Sequence, residues 1–115
     1  MFRFILLALL CAAGCAAAPL DRARVETINE ALSNRAAIAN KCGITEPDRA
    51  AAFQNAMTNR LDPAARSRLA EASAGIVANA QAEEAEYICT PEMFEQSQAA
   101  ADKAQADWDH VRERR

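Results

Sequence analysis

Aromatic residues are scarce in this chain, with four phenylalanines, one tryptophan and one tyrosine in 115 residues. Three glycines, four prolines and one histidine complete the list of shortages. With so few aromatics and so many alanines, the core must be built from small residues around a few large anchors. Helices can then pack closely, but the hydrophobic surplus is thin. Sparse glycine and proline, together with the absence of β-branched alternation, exclude a strand-rich fold. A single histidine, His110, excludes a zinc site of the usual three or four ligands and a c-type haem site, and it leaves no serine or cysteine with a plausible base. No glycine-rich loop is present to cradle a phosphate. The net charge of −3 lacks the basic excess of a nucleic-acid binder. No catalytic residue, metal site or cofactor is expected, and the chain is not read as an enzyme.

Long apolar runs are missing too. The longest is the run Phe4–Ala13 behind Met1-Phe2-Arg3, ten residues where a membrane-spanning helix needs roughly 20. A short basic start, a brief apolar stretch and a small-residue end are the marks of a cleaved signal peptide. Removing residues 1–14 takes away only Arg3 among the charges, so the net charge moves to −4 and about 100 residues are left for one domain.

Ala12-Ala13-Gly14-Cys15 resembles the lipobox of bacterial lipoproteins. The resemblance implies cleavage before Cys15, diacylglycerol on its sulfur, and a membrane tether over residues 15–20. Ala16 in second position carries no inner-membrane retention signal of the aspartate type, so the resemblance also implies the outer membrane of a Gram-negative cell. Ordinary signal peptidase cleavage after Ala17, giving a free periplasmic protein, stays open as the alternative route.

Cys11 goes with the leader and Cys15 to the lipid, leaving Cys42 and Cys89 to pair in an oxidising compartment. Their positions in the helical pattern favour that pairing. The sequence predicts an all-α domain over residues 21–115, a small antiparallel four-helix bundle. The first helix, 21–41, carries the stripe Val25, Ile28, Leu32, Ala36 and Ala39 and ends at Gly43. The second restarts at Thr45-Glu46-Pro47-Asp48, with Thr45 as cap, and runs to about Leu61 through Ala50, Phe53 and Met57. The third restarts at Asp62-Pro63 and runs to about Ile88, with Leu69, Ala72, Ile76, Ala80 and Tyr87 in register. Gly75 in its middle is the expected site of a close helix crossing. Thr90-Pro91-Glu92 opens the fourth, with Phe94, Ser97, Ala101, Ala104, Trp108 and Val111 as its stripe. Cys42 falls at the first junction and Cys89 at the third, which an up-down-up-down bundle places at one end. A bridge closing a loop of about 48 residues is worth ~4 kcal/mol on the chain-entropy model.

The remaining conspicuous residues have plain readings. Glu83, Glu84 and Glu86 are expected on a solvated face, Trp108 as a core anchor, and His110 as an exposed residue near a helix C-terminus. Arg112, Arg114 and Arg115 complement the helix dipole, and in this topology they also lie at the tethered end, towards an anionic membrane surface.

The expected function is a non-enzymatic exported lipoprotein, a structural or protein-interaction module of the envelope. Its partners are the membrane, through Cys15, and an unidentified envelope protein, with no nucleic acid. The cysteine spacing and the tail Lys103–Arg115 with Ala106-Asp107-Trp108-Asp109 are similar to the HdeA-type acid-stress chaperones. That resemblance implies, as a second function, a disulfide-bonded periplasmic chaperone that loosens at low pH as Glu83, Glu84 and Glu86 take up protons.

Overall fold

The structure, a computed structural model, describes residues 21–113; the leader, Cys15, the 15–20 tether, Arg114 and Arg115 lie outside them. Every regular element among the described residues is helical: α1 Arg22–Cys42, α2 Arg49–Met57, α3 Pro63–Ala82, a single turn α4 Ala85–Ile88, and α5 Pro91–Glu113.

Helix α1 begins where Asp21, in extended backbone, accepts a hydrogen bond from the Arg24 amide at 2.8 Å. It ends at Gly43, whose φ of +72° is the left-handed conformation that a side chain opposes. The Gly43 and Ile44 amides both return to the Ala39 carbonyl.

The second helix starts later than the sequence suggests. Asp48 rather than Thr45 is the cap, accepting from the Ala51 amide at 3.0 Å. Pro47 disfavours helical backbone at Glu46, and the Glu46 carboxylate is drawn to Arg35, so neither residue joins a helical turn. The helix also stops at Met57 and not near Leu61. The Arg66 guanidinium takes the Thr58 and Leu61 carbonyls, at 2.8 and 3.2 Å, and so satisfies the end of the segment without further helix.

Asp62 and Pro63 open α3 as the sequence predicts, the aspartate accepting from the Ala65 amide. Continuity to Ile88 is not observed. The chain extends at Glu83 and Glu84, then makes the single turn of α4. Glu83, Glu84 and Glu86 would add negative charge to the negative end of a longer helix dipole, which disfavours continuation. The break also exchanges two residues: Ile88 is buried, whereas Tyr87, expected on the α3 stripe, is 65% exposed. Ala72 is exposed as well. Thr90 caps α5 by accepting from the Met93 amide at 3.2 Å.

Successive long helices reverse direction, giving the up-down-up-down order of a four-helix bundle with α4 as an insert before the last helix. Helix α1 is its axis and packs against every other helix. Against α3 it runs parallel in a constant register: Asn29 reaches the Leu69 carbonyl, Ser33 reaches Ser73 and Lys41 reaches the Gln81 carbonyl. Small side chains, Ser33 against Ser73 among them, make this contact possible. Gly75 is not the crossing point, since a methyl group added there would meet nothing within 4 Å.

Two apolar clusters fill the interior. The larger gathers Val25, Ile28 and Leu32 with Phe53, Met57, Leu69, Ala101, Ala104 and Trp108. Phe53 and Trp108 meet edge to face, 5.1 Å apart. The smaller joins Ala37, Ile38, Ala80 and Ile88, with Cys42 and Cys89 packed against it. Asn29, Ser33, Arg35 and Ser97 are also buried within the bundle.

Candidate functional site

Cys42 is the last residue of α1 and Cys89 follows the single turn of α4, and the two form a disulfide with Cα atoms 5.5 Å apart. The bridge joins the C-terminal end of α1 to the entrance of α5, the shared end expected from the order of the helices. Arg35, two turns before Cys42, makes a second connection there. It is only 6% exposed. Its Nε donates to Glu46 Oε2 at 3.0 Å and its Nη2 to Glu46 Oε1 at 2.7 Å, a bidentate pair. Nη1 donates to the Phe94 carbonyl and to Ser97 Oγ, at 3.0 and 3.1 Å. One side chain thus ties α1, the α1–α2 loop and the first turns of α5 together.

The hydrogen bonds from Arg35 hold the Glu46 carboxyl below its usual range, while the same bonds raise Arg35. Arg35 occupies an apolar-stripe position of α1, between Leu32 and Ile38. A lone cation in such a stripe was the available sequence signal for it, but nothing in the sequence paired it with Glu46.

A second buried polar residue, Asn29, performs a similar service on the other face of α1. Its Nδ2 donates to the Leu69 carbonyl at 3.2 Å, and its Oδ1 accepts from Gln54 Nε2 at 2.9 Å. It thereby links α1 to α2 and α3.

Residues singled out by sequence fall as follows. Trp108 is buried, with the Arg112 guanidinium 4.3 Å from its ring centroid. Arg112 also pairs with Asp109. His110 is exposed near the end of α5, and Glu83, Glu84 and Glu86 are exposed at the α3–α4 break. Next to them, Tyr87, Ile88, Met93 and Ile76 line a cleft of about 270 Å³. Among the described residues no three His, Cys, Asp or Glu side chains stand together as a metal site, and no helix is long and apolar enough to cross a membrane.

The opposite end gathers the start of α1, the α2–α3 turn and the end of α5. There a cleft of about 200 Å³ is lined by Arg22, Arg60 and Arg68 together with Val25, Leu61 and Leu69; Glu26, Asp62 and Ala65 complete it.

Fold and bridge define a class: a small, disulfide-stapled, all-α bundle with a buried arginine–carboxylate clamp. No family model, curated protein or solved structure matches the chain.

Proposed function

We propose that this chain is a non-enzymatic small lipoprotein of the bacterial envelope, exported by its leader, anchored through a lipid on Cys15 and serving as a structural or protein-interaction module. The observation that carries this reading is the Cys42–Cys89 bridge, since such bridges persist in oxidising compartments and are rare in the cytosol. The lipobox-like Ala12-Ala13-Gly14-Cys15 supplies the attachment point. Outer-membrane placement follows from Ala16 behind the modified cysteine. The partner is another envelope protein, and exposed Tyr87 beside its cleft is the natural position for a photo-crosslinking probe. Labelling cells with palmitate and determining the mass of the mature N-terminus tests the reading. An acylated Cys15 is expected; an unmodified N-terminus after Ala17 replaces the anchor with a free periplasmic protein. Turnover of substrate by the purified protein would end the non-enzymatic reading.

A second reading, an acid-stress chaperone of the HdeA type, is favoured by one feature. Arg35–Glu46 is a partly buried ionic clamp that low pH weakens, while the bridge limits how far the helices separate. Suppression of client aggregation at about pH 2–3 is the discriminating assay, and no suppression there removes it.

A further inference from the structure

Eight arginines lie among the described residues, and their partners divide them. Arg24, Arg35, Arg49 and Arg112 each pair with a carboxylate, on Asp107, Glu46, Asp102 and Asp109. Arg66 is spent on the Thr58 and Leu61 carbonyls. The other three, Arg22, Arg60 and Arg68, are in no ion pair among the described residues, and all three line the same cleft. We propose that this cleft, with Arg22, Arg60 and Arg68 around an apolar floor of Val25, Leu61 and Leu69, seats the phosphate headgroup of an anionic phospholipid and holds this end of the bundle against a membrane.

Three observations choose that occupant. The first is charge. Two carboxylates, Glu26 and Asp62, line the cleft against three guanidiniums, which leaves it a net positive charge, and Asp62 is further engaged in capping α3 through the Ala65 amide. Phosphate is an anion that guanidinium donors recognise with matching geometry. The second is the mixture of cations with apolar surface, the partly exposed Leu61 beside the nearly enclosed Val25 and Leu69, which suits the glycerol end of a lipid better than a fully hydrated anion. The third is position. Arg22 is the first residue of α1 and lines the cleft, and Cys15 precedes it by seven residues, a span of at most about 25 Å. Glu46, Glu83, Glu84, Glu86, Glu92 and Glu95 belong to the disulfide end, whereas at the cleft end Asp107 and Asp109 are paired with Arg24 and Arg112 and Asp21 caps α1.

The position argument rests on the lipoprotein reading, so the test dispenses with the acyl chain. The full chain carrying Cys15→Ser is mixed with vesicles of phosphatidylglycerol and phosphatidylethanolamine, or of phosphatidylcholine alone, and the bound fraction is measured by co-sedimentation. Binding to the anionic vesicles only, falling as salt rises, is expected. Arg22→Gln, Arg60→Gln and Arg68→Gln should each lower the partition coefficient about fivefold, the scale for one cation near such a surface. Lys103→Gln, on exposed α5, should leave it within about twofold. Circular dichroism checks that each variant keeps its helices. Equal binding by the triple variant overturns the proposal. So does binding of glycerol 3-phosphate without vesicle binding, which would mark a site for a free anion. An unlabelled Cys15 in the palmitate experiment would remove the lipoprotein reading while leaving the vesicle result to stand by itself.

Discussion

Arg35 places a permanent charge inside a domain with little apolar area to spare, and its stability contribution depends on Glu46 remaining ionised. Removing one member of a buried ion pair leaves the other uncompensated, which costs 3–5 kcal/mol in well-enclosed cases. Glu46 keeps 21% of its side chain exposed, so Arg35→Ala should destabilise by about 3 kcal/mol, the lower end of that range. Arg35→Met with Glu46→Gln should recover most of the loss, because neither charge is then stranded; urea midpoints of the three variants check this. The pH dependence has a definite sign. Glu46 is lowered in the folded state, so its contribution is whole above the ordinary carboxylate value and disappears as pH falls through the depressed one. Arg35 is raised from an already high value, and its contribution is constant below about pH 12. Between about pH 5 and pH 2 the parent should therefore lose more stability than Glu46→Gln. The glycines make a second contrast. Gly75 is exposed in mid-helix with open space around it, so Gly75→Ala should stabilise by up to ~1 kcal/mol. Gly43→Ala should destabilise by about 1 kcal/mol, because φ is +72° there. Thermal melts of the two variants should move in opposite directions.

Among the long helices, α3 buries the fewest positions for its length. It runs for 20 residues, yet only Leu69 and Ala80 are buried on it, against nine buried positions on α1. Much of its backbone therefore opens without uncovering apolar area, and local opening free energy follows such contacts. Amide hydrogen exchange should show the middle of α3, around Ala72–Val77, exchanging well before the Ile28–Ile38 stretch of α1. Equal protection of the two would mean that α3 is held by something other than its buried face. Capping residues mark the helix boundaries unevenly. Asp62-Pro63 and Thr90-Pro91 marked real starts, since cap and proline act within four residues. Thr45 did not, because a distant arginine fixed Glu46, and the break after Ala82 has no proline to announce it.

For the whole molecule the disulfide sets the cooperativity. It closes a loop with a sequence separation of 47 and fastens the far end of α1, the axial helix, to the entrance of α5. Reduction should lower stability by ~4 kcal/mol on the entropy model. Arg35 ties the same end without a covalent bond, so secondary structure should survive reduction at neutral pH. Combining reduction with Arg35→Ala should unfold the chain, a result read by circular dichroism with and without reductant.

The sequence by itself determined the helical class, the up-down-up-down order and the cysteine pair. These depend on local periodicity, capping chemistry and the counting of turns, all of which are short-range. Stripe positions such as Phe53, Ala101 and Trp108 were legible for the same reason. Only the tertiary structure decided that α1 is the axis, that Tyr87 faces outward while Ile88 turns in, that Arg35 closes on Glu46, and that Arg22, Arg60 and Arg68 border one cleft. Those outcomes depend on which faces meet across tens of residues, and a buried charge finds its partner only when the packing of three separate segments brings it there.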